Sequence, residues 1–119
     1  MTSIADRIAM ALAGLLGASG VAAAAASSHA GAHLLGPYAL IALTHAPAIL
    51  ALIAFGPRGK VLSVARIALL AGALLFCADL ASRHFLGAPP FRFAAPLGGM
   101  TLIGGWLLLA VSAFLPPSR

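Results

Sequence analysis

Four apolar runs, each close to twenty residues long, set the terms on which this chain can fold. They cover about 8–26, 38–55, 62–82 and 96–115. Roughly 20 residues of helix cross the ~30 Å hydrocarbon core of a bilayer. Lipid offers no partner to a free N–H or C=O, so each run is expected to be helical. The links between them are short and polar or rich in Gly and Pro: Gly31 to Pro37, Gly56 to Lys60, and Arg83 to Arg92. Short links make consecutive helices antiparallel neighbours. The expected architecture is one all-α domain over 1–119, a four-helix transmembrane bundle closed by the helix-stopping Pro116-Pro117.

Composition agrees with this. Only 8% of residues are charged and 62% are hydrophobic, with a mean hydropathy of +1.09. A soluble domain carries about 25% charged residues. The net charge of +5 comes from six Arg and one Lys set against Asp6 and Asp79. The bases lie mostly at the ends of the apolar runs and are not interleaved with aromatics. They read as topology signals and headgroup contacts, and no nucleic-acid partner is expected. Cys77 is the single cysteine, which excludes an intramolecular disulfide and a CxxC redox or metal motif.

The segment 1–26 has the layout of a signal peptide, with Arg7 early and an Ala-rich stretch before Ser27. It is expected to be retained as the first span. With a cytoplasmic N-terminus, Arg7, Arg58, Lys60, Arg66 and Arg119 lie inside, and Arg83 and Arg92 outside. Five against two favours an N-in, C-in orientation.

Asp79 stands out within the third run. A carboxylate at the centre of a span costs roughly 2.5–3.5 kcal/mol on insertion scales and calls for a partner. Arg83, four residues on, can pair with it along one helix face. Asp6, near the N-terminus, raises no such demand. His29 and His33 are also four apart and share a face if the first helix continues that far. With His45, Arg83, His84 and Asp79 they fall in the outer half of the expected bundle. His29, His33, His45 and Asp79 therefore form a candidate transition-metal or haem ligand set, since neutral imidazole binds such metals and a carboxylate can complete or orient the set. Against it stands a purely structural reading, in which Asp79 pairs with Arg83 and His45 bonds a carbonyl or Thr44. A proton path through Asp79 and His45 would support a transporter, but no acid continues it towards the inner side.

Helix pairing in lipid favours small residues. Ala94, Gly98, Thr101 and Gly105 form such a stripe on the fourth run, and Gly14, Ala18 and Ala22 form one on the first. Both suit packing within the bundle, or docking of another subunit. Pro47 is expected to kink the second helix and free the Leu43 carbonyl. Trp106 lies too deep in its run for an interfacial belt. No phosphate-binding loop, HExxH or Ser-His-acid arrangement is present, so no enzymatic activity is expected.

Three segments resemble the small YgdD/YwdK-type inner-membrane proteins, a domain-of-unknown-function family. Gly31-Ala32-His33, His45-Ala46 with Ala48-Ile49-Leu50, and Pro96-Leu97-Gly98-Gly99 through Ile103-Gly104-Gly105-Trp106 are similar to that family's patterns. The resemblance implies four spans and singles out His33 and His45, but brings no activity. Asp79 departs from it, replacing a small neutral residue. The expected function is a structural or accessory subunit that contacts lipid and other membrane protein, or a second copy, through Gly/Ala helix faces, with no cofactor. A metal- or haem-binding protein is the alternative, and a proton-coupled transporter a third.

Overall fold

The computed structural model describes residues 3–56 and 58–116. Arg119, counted above among the inner-side cations, lies outside the described residues. Four helices run in chain order: α1 Ile4–Ala30, α2 Leu35–Phe55, α3 Lys60–Leu86 and α4 Ala94–Ser112. All four are long and apolar enough to cross a membrane, which makes this a multi-pass membrane protein.

The helices outrun the apolar runs where local chemistry extends them. Ser3 starts α1: its hydroxyl accepts the Asp6 N–H at 3.0 Å, and the Asp6 carboxylate accepts the Ser3 N–H at 3.3 Å. This reciprocal box satisfies two donors that a helix start leaves open. α1 stops at Gly31, whose φ of 64° lies in the left-handed region that a side chain resists. α4 begins two residues ahead of Pro96, which sits in the first turn where a missing N–H does no harm. Pro47 lies within α2 on its exposed side, and the helix is continuous through it.

Two pairs of helices are drawn together by glycine. Between α1 and α2, a Cβ on Gly20 would stand 2.8 Å from Leu43 and 3.1 Å from Ala42, and one on Gly17 would touch Ala46. Between α3 and α4, a Cβ on Gly98 would stand 2.9 Å from the Phe76 backbone nitrogen. One on Gly72 would meet Leu102, and one on Gly105 would meet Leu69. The contacts run in opposite chain directions, so both pairs are antiparallel hairpins. α2 and α3 then join the hairpins through larger side chains, including Ile49, Leu52, Leu62, Leu69 and Cys77 of the main core. α1 touches α3 only lightly, and among the described residues α2 and α3 show no close approach at a helical glycine.

On α4 the stripe expected to pack does face α3: Ala94, Gly98 and Gly105 are buried and Thr101 is half-buried, its hydroxyl donating to the Leu97 carbonyl at 2.7 Å. On α1 the expectation of an inward stripe is corrected. Gly14, Ala18 and Ala22 point outwards, and a Cβ on Gly14 would meet nothing within 4 Å. The side chain of Leu43 needs the notch left at Gly20, which turns Ala13, Gly17, Gly20 and Ala23 inwards instead.

Gly98→Ala forces two backbones apart and is expected to lower stability by about 1–3 kcal/mol. Gly104→Ala, where an added Cβ meets nothing, is expected to leave stability unchanged or slightly raised. Unfolding of the two variants in detergent checks this; equal shifts would contradict backbone contact as the source of the α3–α4 attachment.

Candidate functional site

The polar side chains within the spans make two separate groups. The first is centred on His45, buried in the middle of α2. Its Nδ1 lies 2.8 Å from the Ile41 carbonyl oxygen. A carbonyl only accepts, so Nδ1 carries the proton. Thr44 donates its own hydroxyl hydrogen to the Leu40 carbonyl at 2.7 Å, and its oxygen stands 3.0 Å from the same Nδ1. With Nδ1 protonated, Nε2 of a neutral imidazole is a bare acceptor. The indole N–H of Trp106 on α4 fills that role at 3.0 Å, the rings meeting edge to face at 5.7 Å and 65°. Indole is a donor only, so the bond requires an uncharged His45. Every polar atom of the imidazole is thereby in use, and its remaining lone pair is not open to a metal.

This bond ties α2 to α4, helices that have no close backbone approach. Sequence reasoning noted Trp106 as misplaced for an interfacial belt but did not pair it. The usable signal was chemical: an indole N–H within the bilayer needs an acceptor, and His45 is at comparable depth in an antiparallel arrangement.

The second group is Asp79 with Arg83. Asp79 is 0% exposed. The Arg83 Nε–H donates to its Oδ2 at 2.8 Å, one helical turn away, from a side chain that is 44% exposed. Arg83 thus reaches from the buried acid towards the end of the bundle, as long basic side chains near a span's end do. Oδ1 of Asp79 has no hydrogen-bond partner among the described residues.

A second ion pair lies at the opposite end, and sequence reasoning missed it by treating Asp6 as a terminal charge of no consequence. Arg66 donates to the Asp6 carboxylate at 2.7 Å, with both side chains about three-quarters covered at 25% and 23% exposure. It links the start of α1 to α3 across 60 positions of sequence. Tyr38 adds a tie within the first hairpin, donating its hydroxyl to Ser19 at 2.8 Å.

The four candidate metal ligands are not gathered. His29 is exposed in the last turn of α1, and His33 is exposed in the link beyond Gly31, so the two do not share a helix face. His45 is bonded to Trp106, and Asp79 to Arg83. Among the described residues no cluster of three or more His, Cys, Asp or Glu side chains is placed to hold a metal ion. His84 is exposed at the end of α3, edge-on to Phe85.

Trp106→Phe leaves the buried Nε2 of His45 without a donor and is expected to destabilise the protein by roughly 1–3 kcal/mol. A double-mutant cycle with His45→Leu, measured by unfolding in detergent, is expected to show favourable coupling; zero coupling would contradict the bond. Arg83→Met strands a buried carboxylate and is expected to lose on the order of 3 kcal/mol, whereas Asp79→Asn leaves behind only an exposed cation and loses less. The ranking of the two melting points, and partial recovery in the Asp79→Asn/Arg83→Met double variant, checks this.

No curated protein and no solved structure matches the chain. The family described as "Protein of unknown function (DUF423)" matches residues 16–99, from the middle of α1 into the first turns of α4. The matched stretch contains His45, Asp79, Arg83 and both glycine-drawn hairpin contacts at Gly20 and Gly98, and ends before Trp106. With more than half of its length covered by that match, the chain belongs to the DUF423 family of small helical proteins.

Proposed function

We propose that this protein is a structural or accessory component of a bacterial-type cytoplasmic membrane, oriented N-in and C-in, with no catalytic activity of its own. It assembles by taking another transmembrane helix against α1. The observation that carries this reading is the outward stripe of Gly14, Ala18 and Ala22, which the bundle leaves uncovered while Ala13, Gly17, Gly20 and Ala23 of the same helix face inwards. Four-residue spacing of small side chains lets two backbones approach closely, and such contacts supply much of the attraction between helices in lipid. The intramembrane polar groups fit the same reading. His45, Trp106, Asp79 and Arg83 are engaged with one another or with backbone, as groups with a structural duty are.

A helix carrying the same spacing is the natural occupant, and a second copy of α1 presents one across a two-fold axis. Cysteine placed at Ala18 is expected to give a disulfide-linked dimer in native membranes well above a Leu107→Cys control on the lipid-facing side of α4, with the buried Cys77 silent. Gly14→Leu is expected to suppress that dimer while leaving the monomer's melting point unchanged. Equal crosslinking at the two cysteine positions would remove the α1 face as the assembly surface.

A further inference from the structure

A cavity of about 310 Å³ opens where α1 and α3 begin and α2 stops. Ser3, Asp6, Gly56, Arg58, Ser63 and Arg66 are among its lining residues. Two arginines and a single carboxylate therefore line one space. The carboxylate is already occupied: one oxygen accepts from Arg66 and the other from the Ser3 N–H. Its role towards the cavity is to fix the direction of Arg66.

Arg58 is fixed too. Its Nε–H donates to the Phe55 carbonyl at 3.1 Å, and its guanidinium lies over the Phe55 ring, 5.0 Å from the centroid. These contacts use one of its five N–H groups and leave both terminal amino groups available. A pair of oriented guanidinium groups matches the geometry of phosphate oxygens, to which Arg binds through two parallel hydrogen bonds. The cavity sits at the ends of the spans, since α2 stops at Phe55 and α3 starts at Lys60. That is the depth of lipid phosphate, on the side of the bundle where Arg7 and Lys60 add positive charge. Its size suits one phosphate with its immediate substituent.

We propose that this cavity binds a phosphate group, carried by an anionic phospholipid headgroup or present as the free ion, with Arg58 and Arg66 as its ligands and Asp6 as the positioning residue for Arg66. The test uses the full chain purified in an uncharged detergent. Thermal unfolding is followed while phosphatidylglycerol, phosphatidylcholine or inorganic phosphate is added. Phosphatidylglycerol is expected to raise the midpoint at concentrations at least tenfold below those phosphatidylcholine needs. Arg58→Gln lies outside every helix and does not touch the Asp6–Arg66 pair, and its response to lipid is read against its own midpoint without lipid. Its half-saturation is expected to shift about tenfold, as the loss of one charge-assisted contact does. Arg92→Gln, at the other end of the bundle, is expected to leave it unchanged. Inorganic phosphate acting with the same sensitivity to Arg58→Gln identifies the free anion as sufficient; phosphate without effect beside an active phosphatidylglycerol identifies the lipid. Equal responses to the two lipids, with none to phosphate, overturn the site, and so do equal responses of Arg58→Gln and Arg92→Gln.

Discussion

A polar side chain inside hydrocarbon has no solvent to fall back on. In this protein that constraint is met by pairing: imidazole with indole, carboxylate with guanidinium, hydroxyl with the carbonyl one turn behind. Each bond also does positional duty. Trp106 can keep its N–H satisfied only if α4 holds its register on α2 through His45. Asp79 can stay buried only while Arg83 bends back along α3 to meet it. Asp6 holds Arg66 and with it brings the start of α1 against α3, where apolar contact between the two helices is slight. Side chains that are costly to place in lipid thus fix relationships that interchangeable Ala and Leu would leave loose.

Apolar packing supplies the rest of the fold, and it acts through absence. Where Gly20 and Gly98 lack a side chain, the partner helix advances until Leu43 or the Phe76 backbone fills the space. Hydrocarbon gives two helices no hydrophobic reason to associate, so this gain in close contact is what selects helix–helix over helix–lipid. The seam between α2 and α3 lacks such notches and relies on interleaved larger residues such as Ile49 and Leu69, both fully buried.

Much of this was legible in the sequence, for reasons that differ by feature. The four helices follow from hydropathy and length, and their antiparallel order from the short links. The ion pair of Asp79 with Arg83 is local, four residues apart on one helix, and needs no knowledge of tertiary structure. The α4 stripe stood out because Ala94, Gly98, Thr101 and Gly105 lie among large residues. On α1 the same rule picked out a face that the bundle leaves uncovered. That helix is small-sided nearly all round, so spacing alone does not separate Gly14-Ala18-Ala22 from Ala13-Gly17-Gly20, and the decision rests with Leu43 on another helix. The His45–Trp106 and Asp6–Arg66 bonds join residues 61 and 60 positions apart, and no local period encodes them. The helix continuation that was to align His29 with His33 failed at Gly31, whose left-handed backbone turns the chain away.

The unequal seams have a mechanical consequence. Within each hairpin, sliding one helix along the other drives a side chain out of a glycine notch and into backbone, so resistance rises steeply with displacement. Between the hairpins the surfaces are smoother, and movement is opposed mainly by the Asp6–Arg66 pair at one end and the His45–Trp106 bond in the middle. The α2–α3 seam is the shear plane of the molecule, and the hydrogen bond from Trp106 to His45 acts as the pin across it.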